Sequence, residues 1–506
     1  MARMTFPRLG QRHPADVEAV RPLIEAHRRA RLLTLLLGLG LGLMTAYLAF
    51  IGWQPLAVGI IFALPALLLI HRHPFLTVLL WLLLIPFLLH ADTAVERYVY
   101  WGIHRTLPPL TVGLLLLSSA LGLRSHPLPK LGLVEVAMGG YLAVSYASIY
   151  LQSHAPLPTA ILFYDRIFVA MCLYLIVRLA EPSDRELRGL IPVAVFIVLS
   201  QSAIGIVAWV APGLLPSEWL ETVGERTIGS LVNAAVYTIA LLFAGVILFQ
   251  VAMASAPSAR RRLFILCFLL AGYCTFLSFS RASWIGGLLV GACLTLLYPR
   301  FMIKLSAAVI PIALVGAVVL SSQLEWAEER LTSAEAENSA LSRLPIMVGA
   351  YNMFREKPFL GWGYGNFDYY DRSFYDRLLD MAHDNKDHAS HNYFLSILAE
   401  QGGIGLLLYM MPTVALLVQT ARLWPGMPAN GFRSRKLVLM LWLVILFHVV
   451  VSNFINMIVV YGLGIWWISL GLIGYLVAGA RRPEAVPTAL PGRPIAGWSP
   501  NRSVSR

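Results

Sequence analysis

Residues 231–254 read LVNAAVYTIALLFAGVILFQVAMA, a run of 24 positions without one Asp, Glu, Lys or Arg. At 1.5 Å of rise per residue, a helix of this length crosses the ~30 Å hydrocarbon layer of a bilayer. Similar apolar stretches recur outward from it to positions 31 and 480. Across the 506 residues, 58% are hydrophobic and 13% charged, against roughly a quarter charged in a soluble globular chain. A soluble enzyme is excluded, and the reading is an all-α polytopic membrane protein.

Apolar runs and their breaks give about 14 transmembrane helices (12–14): residues 31–52, 55–70, 75–90, 107–123, 132–151, 157–179, 189–211, 231–254, 263–280, 283–298, 303–321, 403–420, 437–456 and 460–479. The formal charge of +12 could suggest nucleic acid, but the basic residues sit at the ends of apolar segments rather than on one polar domain. They fit topology instead, with membrane lipids as neighbours and no nucleic acid. A cytoplasmic N-terminus puts most of the 39 lysines and arginines inside, as membrane insertion favours. Residues 1–30 are polar and Arg-rich and read as a cytoplasmic segment. The first apolar run is long enough to remain as a signal anchor. An even span number leaves both termini inside.

The long polar stretch 322–391 then lies on the outer, periplasmic face. Its first part, up to RLPIMVGAYNMFRE, reads as helical, and KPFLGWGYGNFDYYD reads as turns near the interface. The expected organisation is an N-terminal bundle over 31–220, a second membrane domain over 221–480 that includes this loop, and a Pro-rich, disordered cytoplasmic tail over 481–506. Cys172, Cys267, Cys274 and Cys293 all fall in apolar segments, so no disulfide framework or zinc site is implied.

Ionisable groups at membrane depth need a partner or a task. The candidates are Asp165, Arg166, Arg226, Arg281, Arg343, His388 and His391, and all fall at or near the outer face. Several arginines on one face suit a polyanion, because the guanidinium stays charged and its donor fork matches phosphate oxygens. A pyrophosphate-linked lipid is an economical candidate. The blander readings are an arginine snorkelling to head groups for Arg226, Arg281 and Arg166, and a structural partner for Asp165. Asp165 and Arg166, being adjacent, do not share a helix face, so each needs its own partner.

HASHNYFLSILAEQGGIGLLLY, residues 388–409, opens a helix with two histidines and Asn392, then meets a glycine-broken junction. An imidazole at that helix start can take a hydroxyl proton or donate to a developing oxyanion. Glu400, ahead of Gly402, Gly403 and Gly405, reads as a structural group at a close backbone turn. The sequence contains no HExxH, CxxC, GxxxxGK[ST] or paired DxD loop, so metalloprotease, redox and ATP-driven chemistry lack their residues.

Four segments in order, ERTIGSLVNAAVY at 225–237, SFSRASWIGG at 278–287, REKPFLGWGYGNF at 355–367 and HNYFLSILAEQGGIGLLLY at 391–409, resemble the O-antigen ligase and polymerase superfamily. The likeness covers about 225–420. It implies a metal-independent glycosyltransferase of the membrane-embedded, GT-C-like type, without a cofactor, in the bacterial inner membrane. The implied donor is a glycan on undecaprenyl pyrophosphate, and the implied acceptor is lipid A core or a growing polysaccharide. Arg226 and Arg281 look like the family's essential arginines, and His391 like its essential histidine. Arg343 sits where the family often has a loop arginine, and Arg166, His388 and Asn392 join it as substrate-binding candidates. Fourteen spans exceed the usual number of about twelve, which leaves the acceptor open among lipid A core, glycan repeats and pilin-type proteins. An O-antigen ligase leads, a polysaccharide polymerase follows, and a lipid-linked glycan flippase is the reading from another class.

Overall fold

The computed structural model describes residues 38–40, 42–52, 65, 67–124, 127–220, 226–319, 343–374 and 390–480. The expected N-terminal segment, the tail, His388 and much of the 322–391 loop lie outside these residues. The chain divides into two units, 1–72 and 73–506. In the first, Gly38–Phe50 is a short apolar helix. Everything that follows concerns the second.

Its described residues are helices and turns, without a strand. In chain order the main helices are α1 (Leu76–Leu88), α2 (Leu107–Ala120), α3 (Leu133–Gln152), α4 (Pro156–Ala180), α5 (Asp184–Val210), α6 (Ala234–Ala254) and α7 (Ala259–Phe276). Then come α8 (Arg281–Leu297), α9 (Pro299–Val319), α10 (Arg343–Glu356), α11 (Tyr393–Leu423), α12 (Arg435–Ser452) and α13 (Val460–Gly479). Seven helices, α3 to α6 and α11 to α13, are long and apolar enough to cross a membrane, while α1 and α8 are shorter apolar helices. α7 and α9 each begin with basic residues, Arg260 to Arg262 and Arg300. The expected span at 460–479 coincides with α13, and the expected start at 403 follows a kink inside α11.

The most enclosed helices are α6 and α13, apolar around their whole circumference as a helix surrounded by others must be. Between helices in lipid, small residues allow close approach. On α13, a Cβ added at Gly464 would lie 2.1 Å from the Trp81 ring and one at Gly471 would lie 3.1 Å from the Tyr174 backbone. α13 thereby seats against α1 and α4, α3 packs on α11, and α12 packs on both α6 and α8. The four cysteines are free thiols, three buried and Cys293 partly so.

Two helical stretches carry a π turn. One is Trp101–Thr106, which runs from the short helix Ala94–Tyr100 into α2, and the other is Tyr164–Phe168 within α4. π turns are rare and recur at functional sites. These two face each other: Arg105 holds Asp165 through Nε–Oδ1 at 2.8 Å and a second bond at 2.6 Å. His104 Nδ1 accepts from Trp81 Nε1 at 3.1 Å, so its proton sits on Nε2, which donates to the Asp165 carbonyl at 3.1 Å. Asp165 is thus a structural partner of Arg105.

Candidate functional site

Residues 226–233 form a turn ahead of α6 that is buried from Thr227 to Leu231. The Gly229 backbone, at φ 61°, has no room for a side chain: a Cβ there would lie 2.4 Å from Gln201 Oε1. Gln201 of α5 accepts from Ser230 N at 3.0 Å and donates to Ser230 Oγ at 2.8 Å. Asn233 then caps α6 by accepting from Ala235 N at 2.8 Å. Arg226 opens this turn and is half-buried.

Arg281 opens α8 after a tight turn in which Phe279 takes φ 47°. The turn is held by Ser278, which donates to Thr275 O at 2.7 Å, and by Trp284, whose Nε1 donates to Phe276 O at 3.0 Å. Trp209 joins the two arginine-bearing turns: its Nε1 donates to Thr227 Oγ1 at 2.9 Å, and its ring lies 5.4 Å from that of Phe279. The hydroxyls of Thr238 and Ser283, 2.7 Å apart, tie the first turns of α6 and α8 together. Two helix N-termini, whose dipoles favour anions, therefore lie side by side, with Arg226 and Arg281 at their approaches.

Arg343, the first described residue of α10, completes the group. Burial, and then the like charges of Arg226 and Arg281, push its guanidinium below its usual range. Arg226 and Arg281 thus each act as like charges on Arg343, and a polyanion among them would offset that repulsion. The structure thus brings together three of the arginines that the sequence singled out.

His391 lies two residues before α11, just ahead of its cap Asn392, in a left-handed turn at φ 50°. Buried Ser390 donates to Asn392 O at 2.8 Å and also contacts the Ser396 hydroxyl. Asn392, expected among substrate contacts, is the helix cap: its Oδ1 accepts from Leu395 N at 3.0 Å and its Nδ2 donates to Asn453 Oδ1 at 3.3 Å. Asn453 ends α12, which packs on α6 and α8, while α11 packs on α10. The His391 turn is thereby linked to all the helices that carry or follow the three arginines.

α11 is broken at Gly402, where φ is 64° and ψ −168°. The backbone groups freed by the break pair with the glycine-rich segment 357–367. Gly403 N donates to Pro358 O at 2.7 Å and Ile404 N to Phe359 O at 3.2 Å. In return, Trp362 N donates to Ala399 O at 3.1 Å and Gly363 N to Glu400 O at 2.7 Å. Gly361 and Gly402 meet so closely that a Cβ on either would lie 2.3 Å from the other segment's backbone. Gln401 fixes the kink to α3, accepting from Ser145 Oγ at 3.1 Å and donating to Tyr141 OH at 3.2 Å.

Arg166 is not among the charges that act on Arg343. It donates to the Tyr364 hydroxyl, whose pKa burial pushes up while Arg166 draws it down, and lies within electrostatic reach of Glu400. Sequence reasoning passed over Arg105, the partner of Asp165. A cation on the same face, in WGIHRTLPP before α2, was the signal that could have identified it. Among the described residues no group of three His, Cys, Asp or Glu is gathered that could hold a metal ion.

Seven long apolar helices among the described residues, which hold no strand, define a multi-pass membrane protein. Residues 265–410 match the family model described as O-antigen ligase, which supports assigning the chain to the O-antigen ligase and polymerase family. Members are glycosyltransferase-like enzymes that act on lipid-linked glycans and polysaccharide acceptors. The matched stretch holds Arg281, Arg343, His391 and the glycine-rich segment, while Arg226 and Arg166 precede it. No curated protein matches the chain.

Proposed function

We propose that this chain is a metal-independent, GT-C-like glycosyltransferase that moves a glycan from undecaprenyl pyrophosphate to an acceptor sugar hydroxyl on the periplasmic face of the bacterial inner membrane. The observation that supports it most is that Arg226 and Arg281, at the approaches to the paired N-termini of α6 and α8, both act electrostatically on Arg343. A pyrophosphate carries the charge that such a group accommodates.

In this reading the acceptor oxygen attacks the anomeric carbon and forms the new glycosidic bond. The bond from that carbon to the phosphate oxygen breaks, its electron pair leaves with undecaprenyl pyrophosphate, and the hydroxyl proton passes to His391. Displacement in one step inverts the anomeric centre. The leaving group is good, so the protein supplies orientation and stabilises charge on the departing pyrophosphate. The arginines do the second. They serve the metal's usual part in neutralising phosphate, so no divalent ion is required. The ligase assignment, with lipid A core as acceptor, comes first.

The test is binding of a polyprenyl pyrophosphate to the purified full chain and its variants. Arg281→Ala and Arg226→Ala are expected to weaken binding by about tenfold or more each, the scale of a lost charged hydrogen bond of roughly 1.5–3 kcal/mol. Arg281→Lys restores only part, since a point charge lacks the fork. Wild-type affinity in both alanine variants contradicts the donor site.

A further inference from the structure

Glu400 and Arg166 come from distant parts of the chain and lie within electrostatic reach of each other. The Glu400 carboxylate accepts from Phe367 N at 3.2 Å and from the Gly365 amide, and has Arg166 within electrostatic reach. Arg166 also donates to the Tyr364 hydroxyl and lies within electrostatic reach of Tyr393, the first residue of α11. Three segments converge there: the π turn of α4, the glycine-rich segment and the opening turns of α11.

Arg166 is aimed by its neighbour. Asp165 is held on one side by Nε and Nη2 of Arg105, and its carbonyl by His104. Tyr164 OH closes the same junction by donating to Arg105 O at 2.6 Å. With residues 164 and 165 pinned in this way, the side chain of residue 166 projects toward the glycine-rich segment. That segment is itself seated on α3, where Tyr364 N donates to Ser148 Oγ at 3.2 Å and Asn366 Nδ2 to Gln152 O at 2.9 Å.

We infer that Glu400 and Arg166 are positioning residues for transfer: together they lock the glycine-rich segment onto the first turns of α11 and so fix the turn that presents His391 to the acceptor. The inference rests on the glycosyl-transfer reading above. It assigns a part in that reaction to α4, which lies outside the matched family region. A carboxylate suits this task because it can accept two backbone amides while attracting a nearby guanidinium.

The experiment compares Glu400→Ala, Glu400→Gln and Arg166→Met with wild type as full chains in detergent. It reads turnover at saturating donor, acceptor KM, polyprenyl pyrophosphate affinity and thermal midpoint. Glu400→Ala and Arg166→Met are expected to lower kcat by about 10- to 100-fold, the scale of a misplacement near 1 Å, with pyrophosphate affinity held within about twofold. Glu400→Gln, which keeps an oxygen for the two amides, is expected to recover part of the loss. Wild-type kcat in a folded Glu400→Ala overturns the inference, as does pyrophosphate affinity that falls in step with kcat. Should Glu400→Ala fail to fold, wild-type kcat in both Glu400→Gln and Arg166→Met overturns it equally. A wild-type protein that neither binds polyprenyl pyrophosphate nor transfers contradicts the functional reading itself, and the inference with it.

Discussion

His391 occupies the left-handed backbone region, at φ 50°, which is uncommon for any residue but glycine although Asn, Asp and His enter it more readily than others. Such strain costs roughly 1–3 kcal/mol and persists where surrounding contacts fix it, here the Ser390 and Asn392 hydrogen bonds. Backbone and imidazole can therefore be tested separately. Glycine suits this φ, so His391→Gly is expected to keep or raise the thermal midpoint. Transfer falls by about 10²- to 10⁴-fold, the range for a lost general base. Donor affinity stays near wild type in the same preparation. Retained transfer would assign His391 to the scaffold. At this scale much was legible: residue type and position singled out Arg226, Arg281, Arg343 and His391. The left-handed turn was not, because nothing in HASHNYF distinguishes a residue inside the helix from one just outside it.

Helix α11 shows what an element's sequence can and cannot say. The glycines at 402, 403 and 405 mark a break, and the break is at Gly402. What satisfies the freed amides and carbonyls is a segment more than 30 positions earlier in the chain. Pairing of that kind has no local period, so KPFLGWGYGNF reads only as turns until the fold places it. The same limit hid the two π turns, whose bulges are stabilised by Arg105 and Asp165, 60 positions apart. Gly402→Ala would force a Cβ to 2.3 Å from the Phe359 carbonyl at positive φ. Strain and overpacking together are expected to destabilise the protein by roughly 2–4 kcal/mol, read as a lowered thermal midpoint. By contrast Gly431, also at positive φ but with open space around it, is expected to tolerate alanine with a loss nearer 1 kcal/mol. Equal effects at the two glycines would show that crowding at the kink does not hold α11 to the segment.

For the whole molecule, apolar runs announced a multi-pass helical protein at once, because a bilayer demands long uncharged helices. Seven of the fourteen runs are long apolar helices among the described residues, others are shorter or flanked by basic residues, and most of the run at 55–70 lies outside the described residues. Run length counts apolar residues, while helix ends are set by caps and turns such as Ser258 and Asn233. The proposed orientation puts the arginine group and the His391 turn on one side of the membrane. Reporter fusions after Ser217 and Gly361 are expected to read periplasmic, and fusions after Lys130, Arg260 and Gly431 cytoplasmic. A cytoplasmic reading at Gly361 would remove the site from the proposed face. The central claim is transfer itself, and the most direct measurement mixes purified protein, undecaprenyl-pyrophosphate glycan and lipid A core in the presence of a divalent-ion chelator. The account predicts glycosylated acceptor and released undecaprenyl pyrophosphate in equal amounts, with the anomeric centre inverted. No transfer to lipid A core or to a growing polysaccharide, or transfer that chelation abolishes and magnesium restores, would contradict it.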